Sequence, residues 1–267
     1  TLGYDLLAMV ADDAICTGAE VISVSNTLDV ASIDEEMVDS LMAGLSQACQ
    51  EQKIVIPGGE IAEVPGAVKS PVWNATSVGI IEKGNELRSD SIEEGDAIIA
   101  LQSAGPRSNG FSLMRKILAD KYGENWYTEK WRSGTWGDVL LTPSIVYHAA
   151  LLSLLGRFGE DRTVEIKALT HITGGGIPEN LARTLKKSGF GAALTDLWEP
   201  HDFFKDLVEL GGMKTAEAYR TWNMGTGMLV IVAPTDVDTV SDALVSQKIQ
   251  AKQAGVVTKK SEIDFSA

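Results

Sequence analysis

The sequence predicts an α/β protein with two domains, and three observations support this prediction. Short runs rich in β-branched residues alternate with longer segments in which apolar residues recur every three or four positions. The first pattern is typical of strands and the second of amphipathic helices. A polar, charged segment at 83–95 separates two such series, and 267 residues suffice for two modest domains. We therefore predict an N-terminal domain at 1–88 and a C-terminal domain at 89–267.

The N-terminal domain is predicted to run helix, strand, helix, strand, loop, strand. Gly18 is suited to end the first helix, Asp34 is a good N-cap for the second, and Pro57 stops the second strand. The predicted helices cover 4–17 and 34–49, and the predicted strands cover 21–25, 53–57 and 73–82.

The C-terminal domain again alternates strands and helices, apart from an excursion at 122–138 that is rich in tryptophan and glycine and has no clear period. The predicted helices cover 111–121, 143–158, 177–187, 202–210 and 235–246. The predicted strands cover 97–102, 164–169, 191–194, 219–223, 228–232 and 249–257.

The overall charge argues against a nucleic-acid surface. The chain has 37 acidic and 23 basic residues, a net charge of −14, whereas neutralising phosphates needs clustered Lys and Arg. Cys16 and Cys49 lie in apolar helical patterns and are predicted to be buried, without a disulfide or a metal. The sequence has no run long enough to span a bilayer and no signal-peptide pattern, so we predict a cytoplasmic protein without a membrane partner.

Three consecutive glycines, Gly174, Gly175 and Gly176, stand between a predicted strand and a predicted helix. Glycines there let backbone N–H groups approach an anion, and the helix N-terminus adds partial positive charge. Pro178 suits the first helical turn, and His171 is near enough to reach the same anion. A tightly packed turn without a ligand explains the glycines equally well, so both interpretations stay open.

Three acidic residues are candidates for holding a cation. Asp12 and Asp13 are neighbours on the first helix and point about 100° apart, so at most one can be a direct ligand. Glu60 follows two glycines at a strand end, and magnesium bound to phosphates needs only one or two protein carboxylates. We predict Asp13 and Glu60 as the magnesium ligands. The alternatives are a solvated helix face and a polar surface turn.

Two further segments carry groups that can bind anions. Ser103, Arg107, Ser108 and Asn109 lie in a strand-to-helix loop and can hydrogen-bond a phosphate, although ordinary turns use the same residue types. Arg220 can bind a substrate anion or pair with an acidic residue, and these alternatives have equal weight.

Three other residues of interest are assigned structural roles. Trp222, two residues after Arg220, is predicted to lie in the core rather than to form a stacking platform. His148 and His201 are predicted to be structural or surface residues.

Individually weak, these motifs together and in this order resemble phosphoribosylformylglycinamidine cyclo-ligase, also called aminoimidazole ribonucleotide synthetase. The matching blocks are GYDLLAMVADDAICTGAE (3–20), PGGEIAEVPG (57–66), SAGPRSNGFSLMRKIL (103–118), LLTPSIVY (140–147), HITGGGIPEN (171–180) and AYRTWNMGTGM (218–228). The architecture is shared with formylglycinamidine ribonucleotide synthetase, selenophosphate synthetase, thiamine-monophosphate kinase and a hydrogenase maturation protein. The SxGPxSNG, HxTGGGxxEN and YRTxNxGxGM blocks favour the cyclo-ligase.

The resemblance implies a homodimer whose N-terminal domains pair in a barrel-like β structure, with ATP in a cleft lined by that domain. It implies ATP-dependent cyclisation of formylglycinamidine ribonucleotide through a phosphorylated amide oxygen, with release of ADP and phosphate. Magnesium would bridge the nucleotide phosphates to Asp13 and Glu60, and His171 and Glu60 are the expected catalytic residues. The expected substrate and phosphate ligands are Ser103, Arg107, Ser108, Asn109, Gly174, Gly175, Gly176, Arg220 and Asn223.

The chain also departs from the family pattern. A glycine-rich loop and an Asp-Gly-Val-Gly-Thr-Lys motif, which the family carries upstream of the first helix, are not in this sequence, so we expect an N-terminal domain truncated at its start. Asp12 stands where the family usually has Asn, and Asn26 where it usually has Asp. Two alternatives remain: another ATP-using member of the superfamily, without ribonucleotide binding, or a non-catalytic paralogue, without ATP turnover.

Overall fold

The computed structural model describes residues 1–265, which form two α/β units packed against each other. The helices are α1 Leu2–Ile15, α2 Glu35–Gln52, α3 Phe111–Tyr122, α4 Trp136–Leu140, α5 His148–Leu155, α6 Gly176–Leu185, α7 Asp202–Gly211, α8 Thr215–Thr221 and α9 Val237–Ser246. The strands are β1 Glu20–Val30, β2 Gly59–Glu63, β3 Val72–Ile80, β4 Ala97–Gln102, β5 Lys130–Trp131, β6 Gly134–Thr135, β7 Ile166–His171, β8 Gly191–Leu194, β9 Thr226–Val232, β10 Ala251–Thr258 and β11 Ile263–Phe265.

The N-terminal unit is a three-stranded sheet in the order β2-β1-β3, with α1 and α2 on one face. Leu7 of α1, Val24 of β1 and Leu45 of α2 share its core. Asp34 is the N-cap of α2, as predicted, and its carboxylate accepts a hydrogen bond from the Met37 N–H at 3.1 Å. This sheet leaves its other face uncovered.

The C-terminal unit is a six-stranded sheet in the order β11-β8-β10-β4-β9-β7, and helices cover both of its faces. Side chains alternate between the faces along each strand. Leu229 and Ile231 of β9 pack with α3, α6 and α7, whereas Val230 packs with α5 and α9. Ile15 of α1 packs in the same cluster as Val230, so the two units share a hydrophobic core at that point.

Two predicted elements are wrong, and a third is shorter than predicted. Residues 53–57 form only a single bridge at Val55, and the strand β2 lies instead at Gly59–Glu63. Gly59 permits this parallel pairing because a Cβ there would lie 2.3 Å from the Asn26 carbonyl oxygen. Residues 219–223 lie largely in the helix α8, and the helix predicted at 143–158 is reduced to α5.

The core position predicted for Trp222 is confirmed, because its side chain is fully buried. Cys49 is buried, as predicted, whereas Cys16 is only half-buried, and both cysteines are free. His171 is the last residue of β7, one position before the loop that leads to α6. Within residues 1–265, no helix combines the length and apolar character needed to cross a bilayer.

Candidate functional site

A buried ion pair lies where the two units meet. Asp12 is on the core-facing side of α1, and Arg107 lies in the loop between β4 and α3. Arg107 Nη2 is 2.8 Å from Asp12 Oδ2, and both side chains are at most 1% exposed. Buried charges are stable only when paired and hydrogen-bonded, so this pair ties the N-terminal unit to the C-terminal one.

Several neighbours stabilise this pair through hydrogen bonds or ring contact, although Arg107 Nε has no hydrogen-bond partner within residues 1–265. Asp12 Oδ1 accepts hydrogen bonds from the backbone N–H groups of Tyr147 at 2.9 Å and His148 at 3.0 Å, at the start of α5. Arg107 Nη1 donates to the Ile145 carbonyl, and its guanidinium lies 4.7 Å from the centre of the Tyr147 ring. Burial disfavours the charged guanidinium, but Tyr147 and Asp12 outweigh this and raise the pKa of Arg107.

A second pair continues this cluster towards the surface. His171 Nε2 lies 2.9 Å from Arg107 Nη2, and His171 Nδ1 lies 2.7 Å from Asp13 Oδ1. The His171 side chain is 3% exposed, whereas that of Asp13 is 64% exposed. Asp12, Arg107, His171 and Asp13 therefore form a continuous polar chain from the core to solvent, which we call the Asp12–Asp13 chain.

The three glycines have different structural roles. Gly175 and Gly176 adopt φ values of 93° and 60°, which favour glycine, and a Cβ on Gly176 would lie 1.9 Å from the Tyr219 carbonyl oxygen. Gly174 instead has no atom within 4 Å of its Cβ position. Asn180 Nδ2 donates to the Gly176 carbonyl at 2.7 Å and orders the loop. Tight packing thus accounts for Gly176, whereas the Cβ position of Gly174, just before the start of α6, faces open space.

Several predicted phosphate ligands are occupied within the protein. Ser103 Oγ donates to Asn223 Oδ1 at 2.8 Å, and Asn223 Nδ2 donates to the Gly105 carbonyl at 2.9 Å; both side chains are buried. Asn109 Nδ2 donates to the Arg107 carbonyl at 2.6 Å. These residues, together with the buried Arg107 guanidinium, hold the loop in shape, which differs from the phosphate-binding role that the sequence suggested.

The remaining predicted anion ligands are exposed. Ser108 lies at the outer edge of the β4–α3 loop, with a φ of 57°. Arg220 lies in the last turn of α8, beside the point where Gly176 packs on Tyr219. Arg220 and the backbone at Gly174 are thus accessible from solvent, whereas the Ser108 hydroxyl is hydrogen-bonded to the buried Asp5 carboxylate.

The predicted magnesium pair is not assembled within one chain. Glu60 pairs in register with Thr27 of β1, so both lie on the same face of the sheet. Val24, three residues before Thr27 and thus on the opposite face, packs with Leu7 of α1. Asp13 is on α1, so the sheet separates it from Glu60. Among residues 1–265, no three His, Cys, Asp or Glu side chains are grouped to hold a metal ion.

Sequence reasoning missed a residue of this region, Asp5. Its side chain is buried, and its Oδ1 accepts a hydrogen bond from Ser144 Oγ at 2.6 Å. Burial raises the pKa of Asp5 despite this bond. A signal existed, because Asp5 and Asp12 are seven residues apart and so share a face of α1 with the apolar residues Ala8 and Ile15. Two acids on an apolar helix face indicate buried polar partners.

Family comparisons match both units of the chain. The family model described as AIR synthase related protein, N-terminal domain, matches residues 1–81, and the corresponding C-terminal domain model matches residues 93–266. The chain belongs to the AIR synthase-related family.

Individual curated relatives give a more specific match. The phosphoribosylformylglycinamidine cyclo-ligase of Fusobacterium nucleatum is 33% identical over 261 residues, covering 97% of this chain and 75% of that protein. The cyclo-ligase of Thermoanaerobacter pseudethanolicus is 36% identical over 249 residues, covering 91% of this chain and 71% of that protein. The resemblance to the cyclo-ligase family is confirmed, and the chain thus belongs to a family of ligase enzymes.

Solved structures confirm the two-domain α/β fold. The hydrogenase maturation protein HypE of E. coli superposes with a TM-score of 0.73 at 18% identity, covering 100% of this chain and 76% of that one. Thiamine-monophosphate kinase from Stenotrophomonas maltophilia gives a TM-score of 0.69 at 17% identity, covering 98% and 78%. A HypE structure in complex with ATP matches with a TM-score of 0.66 at 18% identity, covering 96% and 71%. At these identities the similarity concerns the fold.

Proposed function

We propose that this protein is an ATP-dependent cyclo-ligase that converts formylglycinamidine ribonucleotide to aminoimidazole ribonucleotide. The observation that carries the proposal is the 33–36% identity to proteins named phosphoribosylformylglycinamidine cyclo-ligase, over at least 91% of this chain. The open start of α6 at Gly174, next to the polar chain that ends at Asp13, supports an anionic substrate at the junction of the two units.

In the proposed reaction, the substrate's amide oxygen attacks the γ-phosphorus of ATP, and ADP leaves. The amine nitrogen then attacks the activated carbon, the carbon–oxygen bond to phosphate breaks, and the nitrogen loses a proton. Such chemistry depends mainly on positioning and on stabilising developing charge. In this proposal the N–H groups around Gly174, together with Ser108 and Arg220, bind phosphate oxygens, and Asp13 contacts the substrate. Because Asp13 and Glu60 are separated within one chain, the proposal includes no step through magnesium.

We further propose that two copies of the chain pair through the uncovered face of the N-terminal sheet. This face exposes apolar side chains that a monomer would leave in water, including Ile22, Val72 and Val78. Glu60 lies on the same face. Any contribution of Glu60 to a site would therefore be made at this interface, together with the second copy.

The test is a turnover assay on the complete protein with ATP and formylglycinamidine ribonucleotide, with both products followed by mass spectrometry. We expect one ADP for each aminoimidazole ribonucleotide. Asp13→Asn should lower kcat by roughly 10²–10⁴-fold, as expected for a group that acts on the transition state. Asp238→Asn, an equally conservative change on the exposed face of α9, should have no effect.

Two results would contradict the proposal. ATP-dependent phosphorylation of thiamine monophosphate, without cyclisation, would assign the protein to the kinase branch of the fold. ATP binding without any turnover would make it a non-catalytic paralogue.

A further inference from the structure

We propose that Arg107 is a positioning residue that fixes His171 in the tautomer with its proton on Nδ1, so that the carboxylate of Asp13, rather than the His171 imidazole, is presented to substrate. The inference rests on the proposed function for the role of Asp13, while the tautomer is tested without any activity measurement. The sequence had pointed to His171 as a catalytic group, so the two assignments differ in which side chain touches the substrate.

The first step of the argument is the direction of two hydrogen bonds. A guanidinium has only donors, so at 2.9 Å from Arg107 Nη2 the His171 Nε2 must accept. A ring nitrogen that accepts carries no proton, and the proton of the neutral imidazole is then on Nδ1. Nδ1 is 2.7 Å from Asp13 Oδ1 and donates to it. Both ring nitrogens are thus used, and neither is free to exchange a proton with substrate.

The second step is the rigidity of Arg107. Asp12 and the Ile145 carbonyl hold its two terminal nitrogens, and the Tyr147 ring lies against its plane. Its stem packs on Gly227, where an added Cβ would lie 3.0 Å from Arg107 Cδ. A buried arginine held at both terminal nitrogens and along its stem keeps one geometry, so it can impose a tautomer on a neighbouring ring.

The third step is the state of Asp13. His171 holds Oδ1, whereas Oδ2 makes no hydrogen bond within the described residues 1–265. The side chain is 64% exposed, so Oδ2 faces solvent in a fixed orientation. A carboxylate ordered by a buried imidazole loses less conformational freedom when it binds substrate than an unrestrained surface aspartate does.

The test is NMR of protein labelled with ¹⁵N-histidine at pH 7.5. The chain has three histidines, and His171→Gln assigns the signals of interest by their loss. We expect His171 to show a protonated Nδ1 and an unprotonated Nε2 in the wild type. Asp13→Ala, which removes the acceptor facing Nδ1, should leave this pattern unchanged, because Arg107 sets it. In Arg107→Met, which keeps an apolar stem and removes the donors, Nε2 should become protonated.

The outcomes separate the alternatives. A protonated Nε2 in the wild type overturns the inference, and so does a protonated Nε2 in Asp13→Ala, because Asp13 would then be setting the tautomer. The spectra of these two proteins test the inference even if Arg107→Met does not fold. The signals of His148 and His201 would show whether that variant is folded.

A kinetic readout completes the test. Arg107→Lys, which keeps the charge but loses the planar fork, should lower kcat at least tenfold with little change in the KM of the ribonucleotide, since Arg107 does not touch substrate. A change confined to KM would instead place Arg107 in the binding site. If neither the wild type nor any variant converts the ribonucleotide, the proposed function is wrong. The positioning role of Arg107 is still supported in that case if the NMR spectra show the expected His171 tautomer.

Discussion

At the scale of single residues, the Asp12–Arg107 pair shows that a buried charge is stable only while its ion-pair partner is present. Removing one partner of a buried pair leaves an unpaired charge and costs about 3–5 kcal/mol, whereas an exposed pair contributes roughly 0–1 kcal/mol. Asp12 accepts hydrogen bonds from two backbone donors as well as from Arg107. Because Asp12 is also fully buried, an outside cation cannot reach it.

Asp12→Asn is therefore expected to lower the free energy of unfolding by about 3 kcal/mol, because the amide cannot neutralise Arg107. Urea unfolding measures this change. The matched control is Asp120→Asn, which breaks the exposed Lys116–Asp120 pair and should change stability by less than ~1 kcal/mol. Adding Arg107→Met to Asp12→Asn should recover part of the loss. Equal stability of Asp12→Asn and wild type would show that Arg107 does not rely on Asp12.

His148 gives a pH-dependent prediction. Its Nε2 accepts a hydrogen bond from the Val21 N–H at 2.9 Å, and burial, followed by the charge of Arg157, lowers its pKa to about 4. The unfolded chain has a histidine pKa near 6.5, so between these values the unfolded state binds more protons. Stability from this group is full above pH 6.5 and is lost as the pH falls towards 4.

The expected loss is about 2–3 kcal/mol between pH 7 and pH 4.5, from about 1.4 kcal/mol for each pKa unit. Carboxylates titrate in the same range, so the measured quantity is the difference between wild type and His148→Gln. The glutamine oxygen can still accept from Val21, and the variant should lack the histidine contribution. Parallel pH profiles for the two proteins would show that His148 is not held neutral.

At the scale of elements, the packing of α6 on α8 gives the glycines of the loop different roles: Gly176 is needed for packing, whereas Gly174 faces open space. Gly176→Ala should destabilise the fold, because the new Cβ would meet the Tyr219 carbonyl and the φ of 60° strains an L residue. Gly174→Ala should leave the unfolding midpoint unchanged but weaken substrate binding, seen as a higher KM. If Gly174→Ala leaves KM at the wild-type value, Gly174 does not lie against a bound anion.

The elements also show what the sequence could predict. β4 and β8 were placed at the correct residues, because short apolar runs flanked by turn residues have few alternatives. The strand predicted at 219–223 is wrong. Aromatic and β-branched residues there favour a strand, but packing on α6 holds the buried Ala218 and Tyr219 in the helix α8. Local preference there was overridden by tertiary contact.

The site was predictable only in part, for a similar reason. Local motifs were enough to select His171, Asp13 and Gly174 as candidates. The pairing of Asp12 with Arg107 joins residues 95 positions apart, and no spacing rule connects them. A loop containing Arg, Ser and Asn has the same composition whether its polar groups point to a phosphate or to the protein interior. Local sequence patterns thus identify the polar side chains of the region, but not the residues or ligands to which these side chains bind.

At the scale of the whole molecule, the N-terminal sheet has one face packed and one face uncovered, an arrangement that a stable partner surface would complete. Side chains of β3 alternate along the strand, with Ser77 bonded to the Val10 carbonyl of α1 and Val78 on the other face. Val78 is 54% exposed. A sheet with apolar side chains on both faces is typical of a protein that associates through one of them.

Val78→Lys should therefore weaken self-association, because a charge would have to be buried without a partner in a symmetric interface, where it would be present twice. Sedimentation velocity over a range of concentrations should show a dimer for the wild type and a monomer for Val78→Lys at equal concentration. The matched control is Val245→Lys, a valine of similar exposure, 45%, on α9 of the C-terminal unit, which should remain dimeric. Val78→Lys also tests whether the second copy contributes to the site. It does so if the variant is monomeric and loses turnover while its thermal unfolding is unchanged, as a role of Glu60 on this face would require.

A wild-type protein that stays monomeric at all concentrations would refute the interface.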